Sequence, residues 1–282
     1  MSKMGRDGNH EQGDEKHLTL DELRQRIDSI DGSIHDLLME RSEIVNALIR
    51  VKRTDVPGAA FRPGREANMM RRFVSRHRGI LPLVTVEHLW REIIATFTHL
   101  QAPFDVVVEP GADLRDVARF YFGFTVGFEE ADDTAGVIRS ICKSEGKALG
   151  VVRADANTGS AWWLELSHDG PQIIARLPFI EQEGRPAATP SFVISMPLAD
   201  TNVPDTRLVA MRASNEIDIE AMAARFGGTI AGRYCHQNEI QFLTALPFSV
   251  SDVQLEAIEA EYSSLKIEAH VGGYWQPIDL PG

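Results

Sequence analysis

Four cationic side chains, Arg24, Arg41, Lys52 and Arg65, lie on or just after a stretch whose pattern otherwise predicts one buried helical stripe. From Leu20 the chain reads LDELRQRIDSIDGSIHDLLMERSEIVNALIRVK. Its apolar residues, Leu20, Leu23, Ile27, Ile30, Ile34, Leu37, Leu38, Ile44, Val45, Leu48 and Ile49, recur mostly at steps of three and four, the period of a helix face. Arg41 continues the stripe, four after Leu37 and four before Val45. Lys52 continues it four after Leu48, and Arg24 sits on its edge, four after Leu20 and three before Ile27. Unpaired charge in a core costs several kcal/mol. An anion docking against these cations removes that cost, so the stripe predicts a pocket for a small, multiply charged anion.

Arg41 and Lys52 are 11 residues apart, close to three whole turns, and so point the same way from one helix. Arg24 precedes Arg41 by 17 residues, about 25 Å along the axis. A small ligand cannot touch both from one straight helix, so Arg24 is expected to complete the pocket of a second protomer. Thr19 and Glu22 form a capping box at the helix start, and Thr54, Asp55, Pro57 and Gly58 break it after Lys52 or Arg53. A helix of about 33 residues is about 50 Å long, more than one small domain covers, which implies a dimeric bundle.

A second helix is expected from Pro63 to about Gly79, and a third from about Thr85 to Gln101, stopped by Pro103. The third carries an apolar face, Trp90, Ile93, Ile94 and Phe97, that ends on the polar Gln101. After Pro103 the pattern alternates between strand and helix: FDVVVE, LRDVARFYFG, FTVGF, DTAGVIRSICKSEG and KALGVVRAD. AWWLEL, PQIIARLPFI and SFVISMPLA read as further strands, with EQEGRPAATP as a turn. The last 80 or so residues, from DTRLVAMRAS to KIEAHVGGYW, follow the order βαββαβ, which is ferredoxin-like. The expected fold class is therefore multidomain, α followed by α/β. Its divisions are a polar tail at 1–17, a helical domain at 18–102, a small α/β domain at 103–200 and a ferredoxin-like domain at 201–282.

The chain has 282 residues, 43% of them hydrophobic, enough for several cores. No segment approaches the roughly 18 apolar residues of a membrane span. Residues 1–17 lack an apolar stretch and do not read as a signal peptide. Two distant cysteines, Cys142 and Cys235, are expected to be buried free thiols, consistent with the cytoplasm and with no metal site. The net charge of −12 is uneven: residues 18–101 carry 13 Lys/Arg against 11 Asp/Glu, and residues 102–282 carry 13 against 26. That acidic remainder argues against a nucleic-acid partner and confines anion binding to the first hundred residues.

Arg24 within LRxxIDxID, Arg41, Lys52 and the PxRE element at 63–66, with Gln101 closing the third helix, resemble the all-helical chorismate mutases over residues 18–102. The resemblance implies rearrangement of chorismate to prephenate in phenylalanine and tyrosine biosynthesis, by a homodimer with no metal or organic cofactor. The substrate carries two carboxylates and rearranges pericyclically, so the demands are orientation and charge stabilisation at the breaking ether oxygen. Guanidinium forks suit the carboxylates. By resemblance, Arg41 and Arg65 hold substrate carboxylate within a protomer and Arg24 reaches across from the partner. Lys52 donates to the ether oxygen and to a carboxylate, Gln101 is the second donor to that oxygen, and Glu66 accepts from the ring hydroxyl. Arg62 and Phe97 depart from the family pattern, and Phe97 would narrow the pocket. Singly, each residue has a plainer reading: Arg24 as solvated, Arg41 as a partner of Glu66, Lys52 as a last-turn cation, Arg65–Glu66 as a surface pair, Gln101 as a polar helix end.

Beyond residue 102 the chain resembles, more faintly, the bifunctional mutase–dehydratases. ARFYFG and KALGVVRADANTGS are similar to the first lobe of prephenate dehydratase, but Pro190-Ser191-Phe192 stands where that family has Thr-Arg-Phe. The expectation is a shortened lobe without dehydratase chemistry, with a true mutase–dehydratase as the alternative. The final segment resembles an ACT domain, a sensor for an aromatic amino acid or an oligomerisation scaffold. A non-catalytic helical oligomerisation module with a sensor domain is the remaining alternative.

Overall fold

A computed structural model of the protein describes residues 18–52, 61–155, 157–198 and 202–280. The expectation for residues 1–17 and the side-chain role of Lys52 lie outside the described residues. The chain divides into two compact units, residues 1–48 and 49–282.

The first unit is built on α1 (Leu20–Lys52), whose last turn runs past it. The capping box forms as the sequence predicts: the Thr19 amide donates to Glu22 Oε2 at 2.7 Å, and the Glu22 amide donates to Thr19 Oγ1 at 3.3 Å. In the single chain much of the predicted stripe is exposed, with Leu20 at 62%, Ile27 at 57% and Leu37 at 63%, while Leu38 and Ile49 are half-buried and Val45 is buried.

The second unit opens with α2 (Pro63–Arg76), with Pro63 in its first turn, and α3 (Leu83–Gln101). Then follow β1 (Asp105–Val108), α4 (Ala112–Phe122), β2 (Gly127–Glu130), α5 (Thr134–Lys143) and β3 (Ala148–Arg153). Next come β4 (Gln172–Leu177), β5 (Ile180–Glu181), β6 (Ser191–Ser195) and β7 (Thr206–Ser214). The chain continues with α6 (Ile219–Ala224), β8 (Thr229–His236), β9 (Glu239–Pro247), α7 (Asp252–Glu261), β10 (Lys266–Tyr274) and β11 (Ile278–Asp279).

Among the described residues, nine strands form one sheet in the order β2-β1-β3-β6-β4-β10-β7-β9-β8, and β5 and β11 pair separately. β2, β1 and β3 are mutually parallel, as the strand–helix alternation requires. The final four strands, β10-β7-β9-β8, are antiparallel, in the ferredoxin-like order expected of βαββαβ. The strands of 103–200 and those of 201–282 thus share a sheet, joined where Gly272 of β10 pairs in parallel with Ile173 of β4. Gly272 has φ +115°, and a Cβ there would strike the backbone of Ile173, so the join requires glycine.

Strand alternation sorts the core. Val106 and Val108 face α2, α3 and α4, packing with Met70, Ile94, Ala95, Leu114 and Tyr121. Val107 faces the other way, with Val137, Ile138 and Ile141 of α5 and with Trp162 and Trp163. A third cluster joins α6 and α7 to β7, β9 and β10 through Met222, Leu255, Ile258, Met211 and Phe242.

Three local expectations change. Trp162–Glu165, read as part of a strand, is a 3-10 turn. A strand would send the two tryptophans to opposite faces, whereas both are buried in one cluster, rings 5.8 Å apart. The run from Pro171 to Ile180 is two strands, separated at Pro178. Both cysteines are free but exposed: Cys142 lies off the buried Val137/Ile138/Ile141 face of α5, and Cys235 lies on the edge strand β8.

Candidate functional site

Of the six residues singled out by the sequence, Arg24 and Arg41 lie on the helix of the first unit, and Lys52 is the last residue of that helix. Arg24 is exposed and pairs with Asp21 at 3.4 Å. Arg41 is half-buried.

The other three belong to the second unit. Arg65 and Glu66 are consecutive in the first turn of α2, Arg65 exposed and Glu66 half-buried. A carboxylate in a first helical turn sits at the positive end of the helix dipole. Gln101 ends α3, half-buried, its Nε2 donating to the Phe97 carbonyl at 2.9 Å. Phe97 itself is buried.

The carboxylate of Glu66 is held by Arg91, which lies outside the six candidate residues. Arg91, on the inward face of α3, donates from Nη1 to Glu66 Oε2 at 2.5 Å. Only 3% of the Arg91 residue is exposed. Its Nε donates to the Tyr121 carbonyl at 3.3 Å, and its guanidinium lies over the ring of Phe179 at 5.2 Å. Such a buried cation must be paired and hydrogen-bonded to be tolerated.

One turn earlier on α3, Glu87 is equally buried. It accepts from the Tyr121 hydroxyl at 2.9 Å and pairs with Arg185 at 3.1 Å. The same hydroxyl accepts from the Phe179 amide at 3.2 Å and from Arg185 Nη2 at 3.0 Å. Burial pushes the Glu87 carboxyl above the usual glutamate range, against the pull of the Arg185 charge. Burial likewise holds the Tyr121 phenol well above its ordinary value. Tyr121 and Arg185 lie in the α/β segment, so the polar network ties α3 to it. The signal was legible: Glu87 and Arg91 lead into Ile94, Ala95 and Thr98 at helical steps, the same charge-on-stripe pattern as in the first helix.

Glu66 and Arg91 also line a small cavity of about 30 Å³, otherwise bounded mainly by apolar side chains such as Phe61, Phe104 and Leu177. Its one guanidinium is already matched by its one carboxylate. A dianion needs surplus positive charge, so this cavity by itself is not an anion pocket.

A second cluster sits where open α/β sheets bind ligands, at the C-terminal ends of parallel strands. Arg153, at the end of β3, pairs with Asp113 in the first turn of α4, with Nη2 to Oδ1 at 3.2 Å. Thr189 Oγ1 donates to the same carboxylate at 3.2 Å. The hydrogen bonds from Arg153 lower the Asp113 carboxyl to about 2. The Pro190-Ser191-Phe192 triplet leads into β6, where Ser191 and Phe192 are buried.

In the C-terminal segment Arg207 donates to Asp252 at 2.6 Å and lies 2.8 Å from Nδ1 of His270. They border a cleft that also includes Phe248, Gly272 and Trp275. Burial and the Arg207 charge lower the His270 value.

Residues 23–102 match the family model "Chorismate mutase type II". Among curated proteins, the chain is similar to the bifunctional chorismate mutase/prephenate dehydratase of Neisseria gonorrhoeae. They are 36% identical over 92 residues, 31% of this chain and 25% of that protein. It is similar also to that of Stutzerimonas stutzeri, 33% identical over 113 residues, 38% of this chain and 31% of that protein. The matches thus span about a quarter to a third of those relatives' length. Among solved structures, a chain described as GqqA, a novel type of quorum quenching acylase, aligns with a TM-score of 0.43 at 13% identity, over 61% of this chain and 94% of that one. Prephenate dehydratase from Streptococcus mutans aligns with a TM-score of 0.39 at 11% identity, over 63% of this chain and all of that one.

Proposed function

We propose that the protein, whose residues 23–102 match the chorismate mutase type II model, rearranges chorismate to prephenate. The observation that carries this reading is that match, laid over a helix whose apolar stripe bears Arg41 and Lys52 three turns apart. Arg41 and Arg65 hold substrate carboxylate, Lys52 donates to a carboxylate and, with Gln101, to the ether oxygen as charge develops there, and Glu66 accepts from the ring hydroxyl. Arg24 acts from the partner in a homodimer that buries the exposed row of the first helix. The reaction calls for orientation and electrostatics, with no proton transfer by the protein. Cytoplasmic aromatic amino-acid biosynthesis is the matching setting.

The ferredoxin-like segment is read as ACT-like, a scaffold or a sensor of an aromatic amino acid. The α/β segment is read as a shortened dehydratase-like lobe without that activity, because β6 opens on Ser191-Phe192 with neither threonine nor arginine in the triplet. One observation favours the second reading, a mutase–dehydratase: Thr189 and Arg153 meet on Asp113 one residue away from that triplet. Incubation with prephenate separates the two. Formation of phenylpyruvate, lost in Thr189→Val, establishes the second reading and removes the first.

A further inference from the structure

Arg91 has no place in the set of substrate-contacting residues, yet it makes a close polar contact to one member of that set, Glu66. The chain of contacts runs from the α/β segment to Glu66. The Tyr121 carbonyl receives Arg91 Nε at 3.3 Å, and Arg91 Nη1 reaches Glu66 Oε2 at 2.5 Å. Tyr121 is fixed in turn. Its hydroxyl is tied to Glu87, Arg185 and the Phe179 amide, and its residue is wholly buried. Arg91 therefore has little freedom: stepping away from Glu66 would leave a buried guanidinium short of its counter-charge. A carboxylate restrained this way keeps one oxygen on the arginine and presents the other in a fixed direction.

We propose that Arg91 is a positioning residue for the mutase reaction. It sets the orientation of the Glu66 carboxylate and makes the α/β segment, through Tyr121, a determinant of mutase activity. The inference rests on the reading of Glu66 as the acceptor of the substrate hydroxyl. Arg91 acts only through Glu66, so its effect must vanish when Glu66 can no longer act. A purely structural arginine would give the same loss whatever stands at position 66.

The test is a double-mutant cycle in the full-length chain, with chorismate consumption followed at steady state. Arg91→Met is expected to lower kcat/KM roughly 10-fold or more, as loss of a fixed orientation does. In the Glu66→Gln background the same change should cost less than about 2-fold. Arg91→Lys keeps the charge but has no Nε donor for Tyr121. It should fall between wild type and Arg91→Met, and it runs the cycle if the methionine variant does not fold. Equal losses in both backgrounds, or wild-type kinetics in Arg91→Met, overturn the proposal. A wild-type chain that consumes no chorismate overturns the mutase reading instead, and an unaffected Glu66→Gln removes the assigned role of Glu66, so the failures are distinguishable.

Discussion

Glu87 and Arg185 meet at 3.1 Å with side chains 0% and 2% exposed, the former on α3 and the latter in the loop after β5. The pair joins the segment matched by the mutase family to the α/β segment, so a change at either residue tests whether the two fold as one body. Breaking a buried pair from one side leaves an uncompensated charge. Arg185→Met is expected to cost about 3–5 kcal/mol, and the double change Glu87→Gln/Arg185→Met considerably less. Urea unfolding measures both.

The same pair has a pH signature. Burial raises the Glu87 carboxyl above the ordinary glutamate value of 4.5, so near that value the folded state binds more protons than the unfolded state. Its contribution is therefore most favourable at low pH and declines as pH rises above 4.5. In Arg185→Met, which lacks the opposing positive charge, that decline should steepen and extend to higher pH. Thermal unfolding at a series of pH values checks it, and a variant whose stability rises over that range contradicts the assignment.

Asp113 has the opposite sign. Its carboxyl is lowered from 3.8 to about 2 by the hydrogen bonds from Arg153. The stability it supplies is fully present above about 4 and is lost as pH falls through about 2. Asp113→Asn should lower stability at neutral pH, leave it little changed below about 2, and so flatten the acid limb of the unfolding curve in between. The carboxylate is 45% exposed, so solvent screening keeps the effect modest.

The sheet is joined at Gly272, whose φ of +115° and contact with the Ile173 backbone exclude a side chain. Gly272→Ala should destabilise the second unit by more than about 1 kcal/mol. It should do so chiefly by loosening β4 from β10, which faster amide exchange along those two strands would reveal.

Much of this architecture is written in local sequence. The capping box at Thr19 and Glu22, the proline at the head of α2 and the βαββαβ order are each set by a few adjacent residues. The joining of two segments into one sheet is not, because it rests on a single long-range pair, Gly272 with Ile173. The WW pair misled for a similar reason: aromatic composition favours strand, but two adjacent indoles needed in one core require a turn. At the site, the cations of the first helix were legible because they interrupt an apolar period. Arg91 and Glu87 interrupt one too, but their partners Tyr121 and Arg185 come from distant segments that no spacing rule connects to α3.

The dimer assignment makes its own prediction. If Arg24 serves the partner's pocket, Arg24→Ala and Arg41→Ala chains should each be nearly inactive alone. Once mixed and re-equilibrated, heterodimers carry one intact pocket, and activity should return to about a quarter of wild type. No recovery would place Arg24 outside the pocket.

The most direct test of the central claim is consumption of chorismate by the purified full-length chain, followed by ultraviolet absorbance with prephenate identified as product. Catalysis is expected in wild type, with kcat/KM falling about 100-fold or more in Arg41→Ala and in Lys52→Ala, as removal of a transition-state donor does. A folded wild-type chain that leaves chorismate unchanged, or an Arg41→Ala chain as active as wild type, would contradict the account.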